Sequence, residues 1–114
     1  MKKSLIVLLA ILGVASSNAF AQQTADSPKL VNHIYQNSVY PNYTFLKVED
    51  TMINPAGCLG NYFYGIEVSD PFHDNYVSMA MTAIASGKTL TFYISDTACL
   101  GGSYPTITGM IINR

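Results

Sequence analysis

The hydrophobic period of this chain changes twice between residues 61 and 95, and that double change narrows the folds open to it. From Asn61 to Val68, Tyr62, Tyr64, Ile66 and Val68 fall on one face and Phe63, Gly65 and Glu67 on the other, the two-residue alternation of a strand. From Phe72 the period lengthens: Phe72, Tyr76, Met79, Ala80, Ala83 and Ile84 recur at three-to-four spacing, with Val77 and Met81 widening the apolar face. Asp70 stands where an N-cap belongs, Pro71 occupies a first helical position where its missing N–H costs nothing, and Asp74 suits the positive end of the helix dipole. Gly87 supplies a left-handed stop, with Lys88 beside the negative end. The pattern predicts a helix over 71–86. Alternation then returns from Thr89 to Ser95, with Leu90, Phe92 and Ile94 facing inward.

The remaining elements follow from the same rules. Leu30 to Tyr35 reads as a short strand ended by Gln36-Asn37-Ser38 and Pro41, and Thr44 to Ile53 as a strand with Leu46, Val48 and Met52 on its buried side. Asn54-Pro55-Ala56-Gly57 is a turn by composition, Leu100-Gly101-Gly102-Ser103 is another, and Thr106 to Ile112 is a last, β-branched strand. Residues 22–28 show no period and read as a loose leader. Three strands, a helix and two strands is the element order of the OB-fold, so the expectation is an α+β chain, mostly β. Its expected form is a small OB-like five-stranded barrel with one helix between strands 3 and 4.

The first residues set the compartment. Lys2 and Lys3 precede an unbroken apolar run from Leu5 to Ala15, a polar Ser16 to Asn18, and the small-x-small triplet Ala19-Phe20-Ala21. This is the layout of a secretory signal peptide over residues 1–21, leaving 22–114 as one small exported domain, periplasmic or extracellular. The apolar run falls well short of the roughly 20 residues a membrane-spanning helix needs, so no membrane insertion is expected. A domain this small buries only about 60–65% of the surface its unfolded chain exposes, and a covalent staple compensates. Cys58 and Cys99 are the only cysteines, and in an oxidising compartment a disulfide between them is the default. The long loop it would close gives about 4 kcal/mol in the chain-entropy picture.

Charge excludes one class of partner. All seven Asp and Glu residues lie beyond residue 21, against Lys29, Lys47, Lys88 and Arg114, which are scattered along the chain. Nucleic acid, which needs clustered cations, is not expected as a partner. No nucleophile motif or paired-carboxylate pattern is present, so the chain reads as no enzyme, with no cofactor. Asp70, His73 and Asp74 could be taken for metal ligands on one helix edge. The reading preferred is that the acids cap the helix start while His73 is exposed, and no metal is expected. All eight tyrosines lie beyond residue 21. Of these, Tyr40 and Tyr43 stand beside Asn42 in a polar segment, and ring faces next to amides are the equipment of a carbohydrate site. Tyr40, Asn42 and Tyr43 are therefore the candidate ligand-binding residues.

A resemblance adds to this reading. The segment from Gly57 to Arg114 contains Cys58, the Tyr62-Phe63-Tyr64 strand and the run Met79-Ala80-Met81-Thr82-Ala83-Ile84-Ala85-Ser86-Gly87-Lys88, followed by Cys99 and the strand from Ile107 to Ile112. It resembles a group of small exported gammaproteobacterial proteins. In layout it is also similar to the B subunits of subtilase-type and pertussis-like toxins, secreted disulfide-bonded OB-folds that form pentamers and bind glycans. The resemblance implies a secreted, non-enzymatic binding module that recognises a glycan or cell-surface receptor and assembles as a homo-oligomer. It does not reach the upstream strand, so no sugar-binding residue is carried over. The alternative is a periplasmic structural or inhibitory protein that binds a protein partner. If the signal-peptide reading holds, the intact mass of the protein recovered from periplasm or medium corresponds to a chain starting at Gln22; retention of Met1 to Ala21 would refute it.

Overall fold

The computed structural model describes residues 22–114, so the expected signal peptide over 1–21 lies outside the described residues. Among the described residues six strands and one helix follow in order: β1 (Gln23–Ala25), β2 (Val31–Asn37), β3 (Tyr40–Val48), β4 (Tyr64–Glu67), α1 (His73–Ser86), β5 (Leu90–Leu100) and β6 (Tyr104–Ile112). They form one sheet in the order β1-β5-β6-β4-β3-β2, antiparallel throughout except for the parallel β4–β6 pair. The mostly β, α+β class and the single helix between β4 and β5 are as expected. The five-stranded closed barrel is not: the sheet has six strands in an open order, ending on β1 and β2. The extra strand comes from residues read as a loose leader. Gln23, Thr24 and Ala25 pair with Ser95, Ile94 and Tyr93, and all three are exposed, so they leave no apolar period to find.

The two ends of this order are consecutive in the chain. After β1, Lys29 makes a two-way backbone bridge to Leu90, each N–H to the other's carbonyl at 2.8 Å, before β2 pairs with β3. The sheet is therefore strongly curled, and its concave side holds the core. That core gathers Leu46, Val48, Tyr64, Ile66, Leu90, Phe92, Ile94 and Ile107 from the strands and Tyr76, Ala80 and Ala83 from α1. Leu90, Phe92 and Ile94 are fully buried, as their alternation requires.

Several boundaries move for local reasons. β3 begins at Tyr40 because Asn37 accepts the Val39 N–H at 2.9 Å and pairs with Tyr40, closing a tight turn at Ser38-Val39. Pro41 then sits ahead of the first β3–β4 pair, Tyr43 with Glu67, where its missing donor is no loss. β3 ends at Val48, short of the expected Ile53. Asp50 adopts a left-handed φ of 65°, and Met52 and Ile53 pack on the core from a loop. β4 spans only Tyr64–Glu67, so of the four residues expected to share a face, Tyr64 and Ile66 are buried while Tyr62 and Val68, beyond the strand ends, are exposed.

α1 begins at His73, two residues after Pro71. Asp70 still organises the entry, its carboxylate accepting the Phe72 N–H at 2.8 Å and its carbonyl the His73 N–H at 3.0 Å. At the other end Gly87 takes φ 67° and ψ 27°, and Lys88 N–H reaches the Ala83 carbonyl at 3.0 Å, the left-handed stop the sequence predicts. The buried seam is His73, Tyr76, Ala80 and Ala83. It is narrower than the predicted face, and its two alanines let the helix approach the sheet closely.

Cys58 and Cys99 are bonded, with Cα atoms 5.6 Å apart. Asn54 presents the first cysteine, donating through its amide to the Cys58 carbonyl and accepting the Cys58 N–H, both at 2.8 Å. Gly60 N–H bonds the Ser103 carbonyl at 2.7 Å, so the loop after β3 is tied to the β5–β6 turn twice, covalently and by hydrogen bond. Thiol labelling of the native protein is expected to find no free cysteine, and Cys58→Ser to lose about 2–5 kcal/mol of stability in a denaturant melt. Two reactive thiols in the native protein would refute the bridge.

Candidate functional site

β3 alternates as a strand must. Thr44, Leu46 and Val48 face the core, and Phe45 faces the opposite, outer surface of the sheet. Yet Phe45 is only 1% exposed. Other rings cover it, with centroids at 4.7 Å for Tyr104, 5.6 Å for Phe63, 6.1 Å for Tyr43, and 6.2 Å for both Tyr35 and Tyr40. Tyr35 lies opposite Phe45 on β2, and on β4 the opposite residue is Gly65. A Cβ at Gly65 would come within 2.6 Å of Leu100 Cδ1 and 3.7 Å of Phe45. Glycine therefore lets Leu100 and Phe45 fill the same depression. These residues make a second apolar centre, outside the main core and on the convex side of the sheet.

The rings continue outward as a belt. Tyr35 and Phe63 stack with centroids 5.6 Å apart and planes within 10°, His33 meets the edge of Phe63 at 6.1 Å, and Tyr40 meets Tyr104 at 6.4 Å. The amide of Asn37 donates to the Tyr35 hydroxyl at 2.7 Å, fixing that ring. Tyr35 is 39% and Tyr40 43% exposed, so both offer a ring to solvent while resting on Phe45. Nearby, the Lys47 ammonium lies 5.2 Å from the Tyr62 ring centre.

The three residues singled out in the sequence are divided by this geometry. Tyr40 belongs to the belt. Asn42 lines a shallow groove of about 360 Å³ with Tyr43, Glu67, Val68 and Ser69, and an adjoining groove of about 340 Å³ runs between Gln36, Asn37, Ser38, Pro41, Tyr43 and Val68. Tyr43 links the two regions, one side on Phe45 and the other walling both grooves, with the Gly101 turn against its hydroxyl. Sequence inspection missed Phe45, Phe63 and Tyr104 as parts of a surface. A strand alternation extended to its outer face would have marked Phe45, but nothing in the spacing places Tyr104 above it.

His73 is buried, not exposed. Its Nε2 is 2.8 Å from the Thr44 hydroxyl and its Nδ1 2.8 Å from the Asp74 carboxylate, while the Gln36 amide donates to Thr44 at 2.9 Å. One proton arrangement satisfies every group: Gln36 to Thr44, Thr44 O–H to Nε2, and Nδ1–H to Asp74. A hydroxyl, imidazole and carboxylate in line have the order of a nucleophilic triad, but Thr44 is 0% exposed and no substrate could reach it. The line is a tether from α1 to β3. Both imidazole nitrogens are engaged, which leaves neither for a metal.

No family model, curated protein or solved structure matches this chain. Among the described residues no group of three or more His, Cys, Asp or Glu side chains could hold a metal ion, and no helix is long and apolar enough to cross a membrane.

A second buried polar centre closes the start of the chain onto the core. The Tyr64 hydroxyl donates to Asp26 at 2.7 Å and accepts the Ile53 N–H at 2.9 Å. Asp26 also accepts the Ser27 N–H at 2.7 Å, and Lys29, buried as well, stands 4.0 Å away. Burial, then the bond to Asp26, pushes the Tyr64 hydroxyl well above its ordinary value of 10.0. The folded protein thus keeps Tyr64 neutral where the unfolded chain would ionise it, so this stabilisation is complete below about pH 10 and is lost as pH rises beyond it. Tyr76, raised by burial and by the nearby Asp70, contributes the same sign in either background. Denaturant melts at pH 9 to 11.5 are expected to lose stability more steeply in the wild type than in Tyr64→Phe, and equal slopes would refute the assignment.

Proposed function

We propose that this chain is an exported, non-enzymatic binding module that holds a glycan on its aromatic belt. The observation that carries the reading is Phe45. A sheet facing only water has no reason to gather five rings around an outward-pointing phenylalanine, and the gathering leaves Tyr35 and Tyr40 as half-exposed, orientationally fixed platforms. Flat rings cover the C–H faces of sugars, and the exposed amide of Asn42 in the adjoining groove suits hydroxyl groups. The shortage of clustered cations disfavours phosphate-bearing ligands.

We also infer that the curled sheet is OB-like. Without β1, the strands run β5-β6-β4-β3-β2 with a parallel β4–β6 pair and the helix between β4 and β5. The oligosaccharide-binding face of OB-folds lies on the second and third strands and their flanking loops. Here those strands are β3 and β4, where Phe45 and Gly65 pair. This correspondence supports the likeness to toxin B subunits as an architecture, with a glycan or cell-surface receptor as the ligand.

The test uses Tyr35 and Tyr40, because Tyr43 is wedged between Phe45 and the Gly101 turn and its loss would disturb packing. Replacing both with Ala is expected to weaken binding to the glycan recognised on a broad array by about 10- to 100-fold, at roughly 1 kcal/mol for each ring. Both rings also cover Phe45, so the thermal midpoint should fall, and binding is compared well below it, where both proteins are folded. A wild-type protein that binds no glycan on the array, but retains one periplasmic protein through the same two tyrosines, would replace the glycan with a protein partner.

A further inference from the structure

The groove where β3 and β4 first pair holds a carboxylate that the fold leaves almost free. Glu67 ends β4 directly opposite Tyr43 on β3, so its side chain and that ring stand together on the outer face of the sheet. Asn42, Val68 and Ser69 complete the lining, and the Val68 N–H ties the strands at this point by bonding the Asn42 carbonyl at 2.8 Å. Glu67 and Asn42 are exposed. The Glu67 carboxylate accepts one long hydrogen bond, from the Ser69 hydroxyl at 3.4 Å, and belongs to neither ion pair among the described residues.

The cations of the domain stand elsewhere. Lys47 lies four residues along β3 from Tyr43, about 13 Å by the rise of a strand and beyond the screening length at physiological salt, and it sits over the Tyr62 ring. Lys29 is buried beside Asp26, and Lys88 and Arg114 border a separate depression at the end of α1. The next charged groups along the chain from Glu67, Asp70 and Asp74, are acids as well. A carboxylate is acceptor-only and takes two hydroxyl donors at once, and such charge-assisted bonds are roughly twice as strong as neutral ones. Adjacent hydroxyls of a sugar ring supply that pair of donors, while the C–H face of the same ring meets the side of Tyr43 that walls the groove. A second carboxylate brought to the same place finds no cation and is repelled. From the pairing of Glu67 with Tyr43 in a groove that has no cation, we infer that the glycan held here is neutral: its terminal ring presents vicinal hydroxyls to Glu67, and uronic and other carboxylate-bearing sugars are selected against. This rests on the reading of the outer face as a glycan surface and adds what that surface selects.

Titration of the isotope-labelled protein, followed by amide NMR, tests this with matched sugars: the methyl glycosides of glucose, galactose and mannose against the corresponding methyl uronides, which differ only in carrying a carboxylate at C6. The neutral glycosides are expected to move the side-chain amide of Asn42 and the backbone amides of Val68 and Ser69, and the uronides to bind about three- to tenfold more weakly at low salt. Glu67→Gln keeps the shape of the groove and removes its charge, so it should weaken the neutral sugars several-fold and bring the two classes together. Glu67→Lys should reverse the preference. Should single rings bind too weakly to titrate, the same comparison is made on an array between neutral and uronide ends of one oligosaccharide core. Uronides that bind the wild type as tightly as the neutral sugars would overturn the inference. So would a preference that survives Glu67→Gln, or shifts confined to Tyr35, Tyr40 and Phe63 while Asn42 stays unmoved, and each of these outcomes leaves glycan binding itself standing. A protein that responds to none of these sugars in solution or on the array overturns both this inference and the reading beneath it.

Discussion

Three consecutive residues of β3 carry the architecture. Thr44, Phe45 and Leu46 are all but inaccessible although a strand turns successive side chains to opposite faces. A strand buried on both sides must be covered on both sides, and the two covers differ in kind. The concave cover is α1 and the aliphatic core, to which Thr44 is fastened through His73. The convex cover is aromatic and comes from β2, the loop before β4, and the start of β6. Removing either would leave the other attached to a strand with one solvated hydrophobic face.

The polar atoms inside this arrangement are matched. Among the described residues no buried side-chain nitrogen or oxygen lacks a partner, and the matching joins segments far apart in the chain. Asp26 meets Tyr64, and Thr44 meets His73. Each pair costs desolvation that is offset only if the geometry is met, so each fixes a register that apolar packing alone would leave loose. The Asp26 pair explains how the short β1, with no buried side chain of its own, is held on the edge of β5.

Those same pairs mark where sequence reading stops. The inward face of β5, the Tyr76, Ala80 and Ala83 seam of α1, the Gly87 stop and the pairing of the two cysteines were legible from local period, turn chemistry and cysteine count, whereas Phe72, Met81 and Ile84, read as part of the apolar helix face, are exposed. β1 was not legible, because Gln23-Thr24-Ala25 is held by backbone pairing and by Asp26, neither of which leaves a pattern in the sequence. His73 was misjudged for a related reason: beside two acids on a helix start it looks solvated, and only the position of Thr44 on a distant strand makes a buried imidazole satisfiable. Tyr40, Asn42 and Tyr43 were legible as aromatic and amide neighbours. Their division between a belt and a groove depends on Phe45, whose burial on an outer face is a property of the whole sheet.

The disulfide has a meaning beyond its contribution to stability. Cys99 precedes Leu100, the side chain that fills the depression at Gly65 beneath Phe45, and Cys58 opens the loop that delivers Phe63 to the belt. The same two segments are joined by the bond from Gly60 to Ser103, next to Tyr104. Oxidation therefore fastens two walls of one surface, and the reduced chain holds those walls only by noncovalent contact. Completion of the surface is in this way coupled to a single redox event: closing the Cys58–Cys99 bond fixes the walls of the belt to each other, and opening it leaves them to noncovalent contact alone.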